Sequence, residues 1–168
     1  MTTTIVSIEQ SAKAAREASR LLASVPSPVK NQVLLDLADA LESPDAIDRI
    51  LAANAEDVRL AKDAGLPLPK VQRLGMTART LAQMAAGLRQ IALLPDPIGA
   101  ITRDTTVPAG LRVRKVRSPL GVVAMIYEAR PTVTIDAFAL CFKAGNACIL
   151  KGGREAAGSN AALATLAR

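Results

Sequence analysis

The chain has 168 residues, half of them apolar, with only 2% aromatic residues and a net charge of +6. That length suits one domain or a piece of a larger one, with a core built from Ala, Leu, Val and Ile. Histidine is absent, which excludes histidine bases, Ser–His triads and histidine-ligated metals within these residues, and Cys141 and Cys148 offer neither metal-ligand spacing nor a disulfide framework.

At the N-terminus, MTTTIVSIEQSAKAAREA lacks a signal-type apolar segment and is not Arg-rich, and no apolar run in the chain approaches a membrane span. A reducing cytoplasm is therefore the expected location. The first ninety-odd residues read as helices. Ile8, Ala12, Ala15, Ser19 and Leu22 fall on one face of a helix ending before Pro26. Ser27-Pro28 offers a cap and a first-turn proline for a second helix, with Val29, Val33, Leu34, Leu37, Ala38 and Leu41 inward. Ser43-Pro44 repeats the device, and Ile47, Ile50, Leu51, Val58 and Ala61 carry the next stripe to Gly65. Pro67 and Pro69 read as a break. Thr77 then caps a helix with Leu81, Met84, Ala85, Leu88 and Ile91 inward, ended by Pro95 and Pro97. Such stripes are core or interface faces and require no chemistry.

From Ile98 the pattern changes. ITRDTTV and LRVRKVR, separated by Pro108-Ala109-Gly110, read as a two-stranded ribbon of imperfect sidedness. RVRKVR (Arg112–Arg117) is the one basic cluster, and a positive balance can mean nucleic acid, a membrane surface or a phosphorylated ligand. With one Tyr, two Phe and no Trp, stacking platforms for single strands are hard to build, so nucleic acid is not an expected partner. Gly121–Tyr127, GVVAMIY, is a near-continuous apolar run, as in a buried parallel strand. Thr134–Ala144 suits a crossover helix stopped by Gly145-Asn146, Ala147–Leu150 is a second strand, and Glu155–Ala167 begins another helix. The fold class is thus α/β: N-terminal helices (1–97) and a β-ribbon (98–118) leading into an incomplete, Rossmann-like parallel sheet (119–168).

Two segments can carry chemistry. Lys151 stands at the carboxyl end of a strand, where open α/β sheets bind ligands, and Gly152 and Gly153 permit close backbone approach. The following helix offers free amides and a positive dipole end, to which Lys151 and Arg154 add charge. The segment reads either as a nucleotide phosphate site or as a plain tight turn, and it matches neither GxGxxG nor Walker A. The other segment is Tyr127-Glu128-Ala129-Arg130-Pro131, where Glu128 and Arg130 either pair with each other, the favoured reading, or leave Arg130 to grip an anion. Cys141 and Cys148 read as small apolar residues, not nucleophiles.

At these residues the chain resembles a known family. IYEARPTVT, followed by KAGNACILKGGREAAGSN, is similar to the γ-glutamyl phosphate reductases (glutamate-5-semialdehyde dehydrogenases) of the aldehyde dehydrogenase superfamily. The likeness extends through Gly87–Gly99 and Gly110–Val123 and, more loosely, Asn54–Leu66. The resemblance implies an aldehyde dehydrogenase-type cofactor domain and NADPH-dependent reduction of L-glutamate 5-phosphate to L-glutamate 5-semialdehyde in proline biosynthesis. A cysteine thiolate displaces phosphate to give a thioester that hydride then reduces. It further implies cofactor binding at Lys151, Gly152, Gly153 and Arg154, a substrate or oxyanion loop at Glu128, Arg130 and Thr132, and no metal. A homo-oligomer and contact with glutamate 5-kinase follow from the same likeness. Two residues depart from the family: Thr132 stands where Asn is usual, and Lys151 where Arg is more frequent. Family chains are well over twice as long, and neither cysteine here matches the catalytic one. These residues are therefore expected to be an N-terminal fragment lacking the catalytic domain and inactive alone. The alternative is a stand-alone NADPH-binding or interaction module.

Overall fold

A computed structural model describes residues 7–167. The order is α1 (Ile8–Leu22), α2 (Ser27–Leu41), α3 (Pro44–Asp63), α4 (Leu68–Leu74), α5 (Ala78–Leu93), β1 (Ile101–Thr106), β2 (Arg112–Val116), β3 (Val122–Ile126), α6 (Thr132–Lys143), β4 (Ala147–Lys151), a 3₁₀ turn at Arg154–Ala156, and α7 (Ala157–Leu166). The expectations for the first six residues and for Arg168 lie outside the described residues.

Two helices begin at side-chain caps, whereas the caps expected of Ser27 and Ser43 are not made. Ser27 lies inside α2 and its hydroxyl donates to Asp96, and the Ser43 hydroxyl donates back to the Ala40 carbonyl. Ser7 with Gln10, and Thr77 with Thr80, form reciprocal capping boxes at α1 and α5. Prolines occupy the first turn of α2, α3 and α4, where no intrahelical N–H is needed. The last case corrects the reading of Pro67 and Pro69 as a break, because Pro69 starts α4. At the end of α6 the Asn146 amide donates to the Cys141 carbonyl (2.8 Å) and the Gly145 amide to the Phe142 carbonyl (2.9 Å). Gly145 has φ of 71°, and a Cβ there would lie 2.5 Å from Ile98 Cδ1, so both backbone and space require glycine.

The main core is helical. Leu34, Leu37, Ala38 and Leu41 of α2 pack with Leu81, Met84, Ala85, Leu88 and Ala92 of α5, joined by Ile50, Ile135 and Leu163. Each fully buried leucine contributes roughly 2–3 kcal/mol. A smaller cluster joins Ala61, Val71, Leu74, Ala129 and Ala156. The stripes were partly misplaced: Ile8 is 86% exposed, while Val29 and Val33 of α2 are also exposed. The α1 helix rests on β4 through small residues, and a groove of about 550 Å³ lined by Ala15, Ala18, Phe138 and Ala164 runs between them.

Lysines are buried instead. Lys30, fully buried, pairs with Asp96 and donates to the Lys143 carbonyl (3.2 Å). Lys143, nearly as buried, donates to Asn31 Oδ1 (2.5 Å) and to the Ala92 carbonyl (2.9 Å). Asp96 also accepts from Ser27 Oγ (2.5 Å) and the Ile98 amide (2.9 Å). This polar joint ties α2, the α5–β1 connection and α6 together, and each buried group has a partner.

Strands β1 and β2 form an antiparallel ribbon with Thr106 opposite Arg112, exposed along its length. Strands β3 and β4 pair in parallel, from Val122–Ala147 to Ile126–Lys151, with α6 as the crossover. The run GVVAMIY is less buried than its composition implies, since Ala124 and Ile126 are exposed. A two-stranded sheet covers little of each strand. The parallel sheet and helical N-terminal part of the α/β reading are present.

Candidate functional site

The parallel register puts the two candidate segments side by side. Ile126 pairs with Lys151, and the next amide, that of Tyr127, donates to the Lys151 carbonyl (3.0 Å). Tyr127–Pro131 and Lys151–Arg154 are therefore adjoining loops at the carboxyl edge of one strand pair, as the α/β ligand rule requires. Beneath them, Ala129 of one loop and Ala156 of the 3₁₀ turn after the other pack into the same cluster with Ala61, Val71 and Leu74. Helix α4, unforeseen in the sequence, supplies part of that floor.

Lys151 and Arg154 are exposed, and neither enters an ion pair among the described residues. Gly152 is a close approach: a Cβ there would lie 2.2 Å from Asn160 Nδ2 and 3.1 Å from Tyr127 Cε2. At Gly153 a Cβ would meet the Glu155 carboxyl group at 2.8 Å. Glu155, absent from the sequence-derived site, thus holds a carboxylate over the turn.

The helix end differs from expectation. A 3₁₀ turn precedes α7, and the α7 amides are already taken. Asp57 of α3 accepts from the Gly158 amide (3.1 Å), the Ser159 amide (2.7 Å) and Ser159 Oγ (2.7 Å). The positive end of α7 is neutralised by a protein carboxylate. Asn54, one turn earlier, donates to Ser159 Oγ (3.0 Å) and the Leu74 carbonyl (2.9 Å) and accepts from the Met76 amide (2.7 Å). An anion at this turn must be held by Lys151, Arg154 and the turn backbone, not by α7.

The favoured ion pair between Glu128 and Arg130 is also corrected. Both residues are exposed, and they meet through the backbone, where the Arg130 amide donates to the Glu128 carbonyl (2.8 Å). Thr132 begins α6 and is half-buried. The exposed cations Lys151 and Arg154 suit an anionic ligand, whereas the space beside Gly152 and Gly153 is filled by Asn160 and Glu155. Beside them, a cleft of about 510 Å³ is lined by Leu60, Ala61, Leu66, Lys70, Arg154 and Glu155.

Cys141 and Cys148 are half-buried, unpaired thiols. Burial raises the Cys141 thiol, partly offset by a hydrogen bond with Cys148. Burial, then the neighbouring Cys141, pushes Cys148 up to about 11. Thiolate is disfavoured at both. Among the described residues no group of three or more metal-ligating side chains converges, and no helix is long and apolar enough to cross a membrane.

No family model matches the sequence. A γ-glutamyl phosphate reductase from Nitratidesulfovibrio vulgaris is 52% identical over 159 residues, which is 95% of this chain and 38% of the relative. The crystal structure of γ-glutamyl phosphate reductase from Thermotoga maritima superposes with a TM-score of 0.89 at 32% identity, over 95% of this chain and 38% of that one. A salicylaldehyde dehydrogenase from Pseudomonas putida shares the fold at a TM-score of 0.59 and 22% identity, over 95% of this chain and 30% of its own. The chain spans about two-fifths of the reductases it matches. Over these residues, sequence and fold are similar to the corresponding part of the γ-glutamyl phosphate reductases, on the aldehyde dehydrogenase fold.

Proposed function

We propose that this chain is the N-terminal, cofactor-binding part of an enzyme that reduces L-glutamate 5-phosphate to L-glutamate 5-semialdehyde and phosphate with NADPH, in cytoplasmic proline biosynthesis. The observation that carries the reading is the placement of Lys151–Arg154 beside Tyr127–Pro131 at one strand edge, within a reductase-like sequence. Helices α1 to α5 support this site, β1 and β2 form the ribbon, and β3 to α7 carry it. Lys151 and Arg154 hold the anionic parts of NADPH, including the 2′-phosphate, and Gly152 and Gly153 form the tight turn between them. When bound, the nucleotide supplies hydride. Arg130 holds the acyl phosphate or the substrate carboxylate, Glu128 orients the loop, and the Thr132 hydroxyl donates toward a developing oxyanion. The nucleophilic cysteine belongs to the remainder of the longer enzyme, as do homo-oligomerisation and any contact with glutamate 5-kinase.

In a reductase of full family length carrying this segment, Lys151→Ala is expected to raise the KM for NADPH by roughly 10- to 100-fold, the range of a charge-assisted contact. The KM for NADH should move far less. Equal effects on both nucleotides would remove the 2′-phosphate role, and no effect on either would overturn the site.

A further inference from the structure

A directional hydrogen-bond relay runs from Tyr127 of one loop through α6 to Asn160 of α7, which packs against the other loop at Gly152. Thr134 Oγ1, at the start of α6, donates to Asn160 Oδ1 of α7 (2.9 Å). With that single proton committed, the 2.7 Å contact between Tyr127 and Thr134 has the Tyr127 hydroxyl donating. Asn160 therefore turns its Nδ2 toward Gly152, where a Cβ would lie 2.2 Å away. Tyr127 holds the same turn twice more, by its amide on the Lys151 carbonyl (3.0 Å) and by its ring edge, 3.1 Å from the space a Gly152 Cβ would fill. Thr134 is buried, and among the described residues no buried side-chain polar atom lacks a partner. The hydroxyls of Tyr127 and Thr134 and the Asn160 oxygen are thus bonded in one chain, the kind that favours one arrangement of backbone.

We propose that Tyr127, Thr134 and Asn160 are positioning residues for the cofactor turn. Through Tyr127, which opens the Glu128–Arg130 loop, they lock the hydride-donor side to the substrate side. The inference rests on the NADPH reading of Lys151–Arg154. None of the three side chains need touch the ligand. The relay sets where the Gly152 and Gly153 amides and the Lys151 side chain stand, so loosening it costs cofactor affinity first.

Two measurements on a full-length reductase carrying this segment separate the relay from the cofactor reading. The variants are Tyr127→Phe and Thr134→Val, with Thr134→Ser as the conservative control that keeps the hydroxyl. Hydrogen exchange over residues 151–156 is expected to be faster in the first two and close to wild type in Thr134→Ser. KM for NADPH is expected to rise about 3- to 10-fold in the same two variants, the scale of one neutral hydrogen bond, with kcat changed less than twofold. Combining Tyr127→Phe with Thr134→Val should add little, since either breaks the same chain. Unchanged exchange over the turn, or loss of rescue in Thr134→Ser, would overturn the relay. Faster exchange with unchanged nucleotide affinity would instead sink the cofactor reading of the turn, and the positioning role with it.

Discussion

Replacing Asp96 by alanine is expected to destabilise the protein by about 3–5 kcal/mol, read as a fall in the urea midpoint. Lys30 is fully buried and Asp96 is the acid it meets, so the substitution strands a charge away from water. Asp96→Asn should cost less, because its one carboxamide oxygen still accepts from Lys30 and Ser27 at the Oδ2 position, although its NH2 group then faces the Ile98 amide. Adding Lys30→Met to Asp96→Ala should recover much of the loss. A single Asp96→Ala variant within 1 kcal/mol of wild type would contradict this account of the joint, on the scale just cited. The pH dependence has a definite sign. Burial pushes the Asp96 carboxyl up, but hydrogen bonds from Lys30, Ser27 and the Ile98 amide, with the charge of Lys30, carry it below its ordinary value. Its contribution is therefore complete above the unfolded carboxyl's range, about 4, and lost as pH falls through the lower folded value.

The second large effect is expected at Asp57. Asp57→Ala removes the acceptor of two α7 amides and of the fully buried Ser159 hydroxyl. A lost helix cap costs about 1 kcal/mol, and stranded buried donors add about 1–3 more, so roughly 3 kcal/mol is the expected loss. Asp57→Asn, which retains one acceptor, should lie between. Denaturant unfolding of the three proteins gives the order directly, and an alanine variant as stable as the asparagine one would refute the capping role.

Much of the architecture was legible because caps and apolar spacing are local. Thr77, the Ser-Pro pairs and Gly145-Asn146 marked helix ends, and the switch to β patterning near Ile98 was visible. What escaped depended on distant partners. Prolines at Pro67 and Pro69 read as a break because a breaker and a first-turn residue look alike until the following turn is known to pack. Asn54 and Asp57 lie on the inward stripe of α3, yet an apolar count passes over polar residues whose partners are a hundred positions away. Lys30 and Lys143 look like solvated charges for the same reason. At the site, the glycine pair and Lys151 stood out by type, whereas the claim on the α7 amides by Asp57 left no local trace. Neither did the relay through Asn160.

The junction of α3 with α7 also bears on the time course of folding. Helices α2 to α5 meet through short loops, so their core can assemble early. The bonds from Asp57 to Gly158 and Ser159 close a span of about a hundred residues, and they require the β3–α6–β4 crossover to be in place first. Contacts of such long sequence separation are expected to form after the rate-limiting step. Weakening them should shorten the lifetime of the native state far more than it slows its formation, so this junction governs persistence more than arrival.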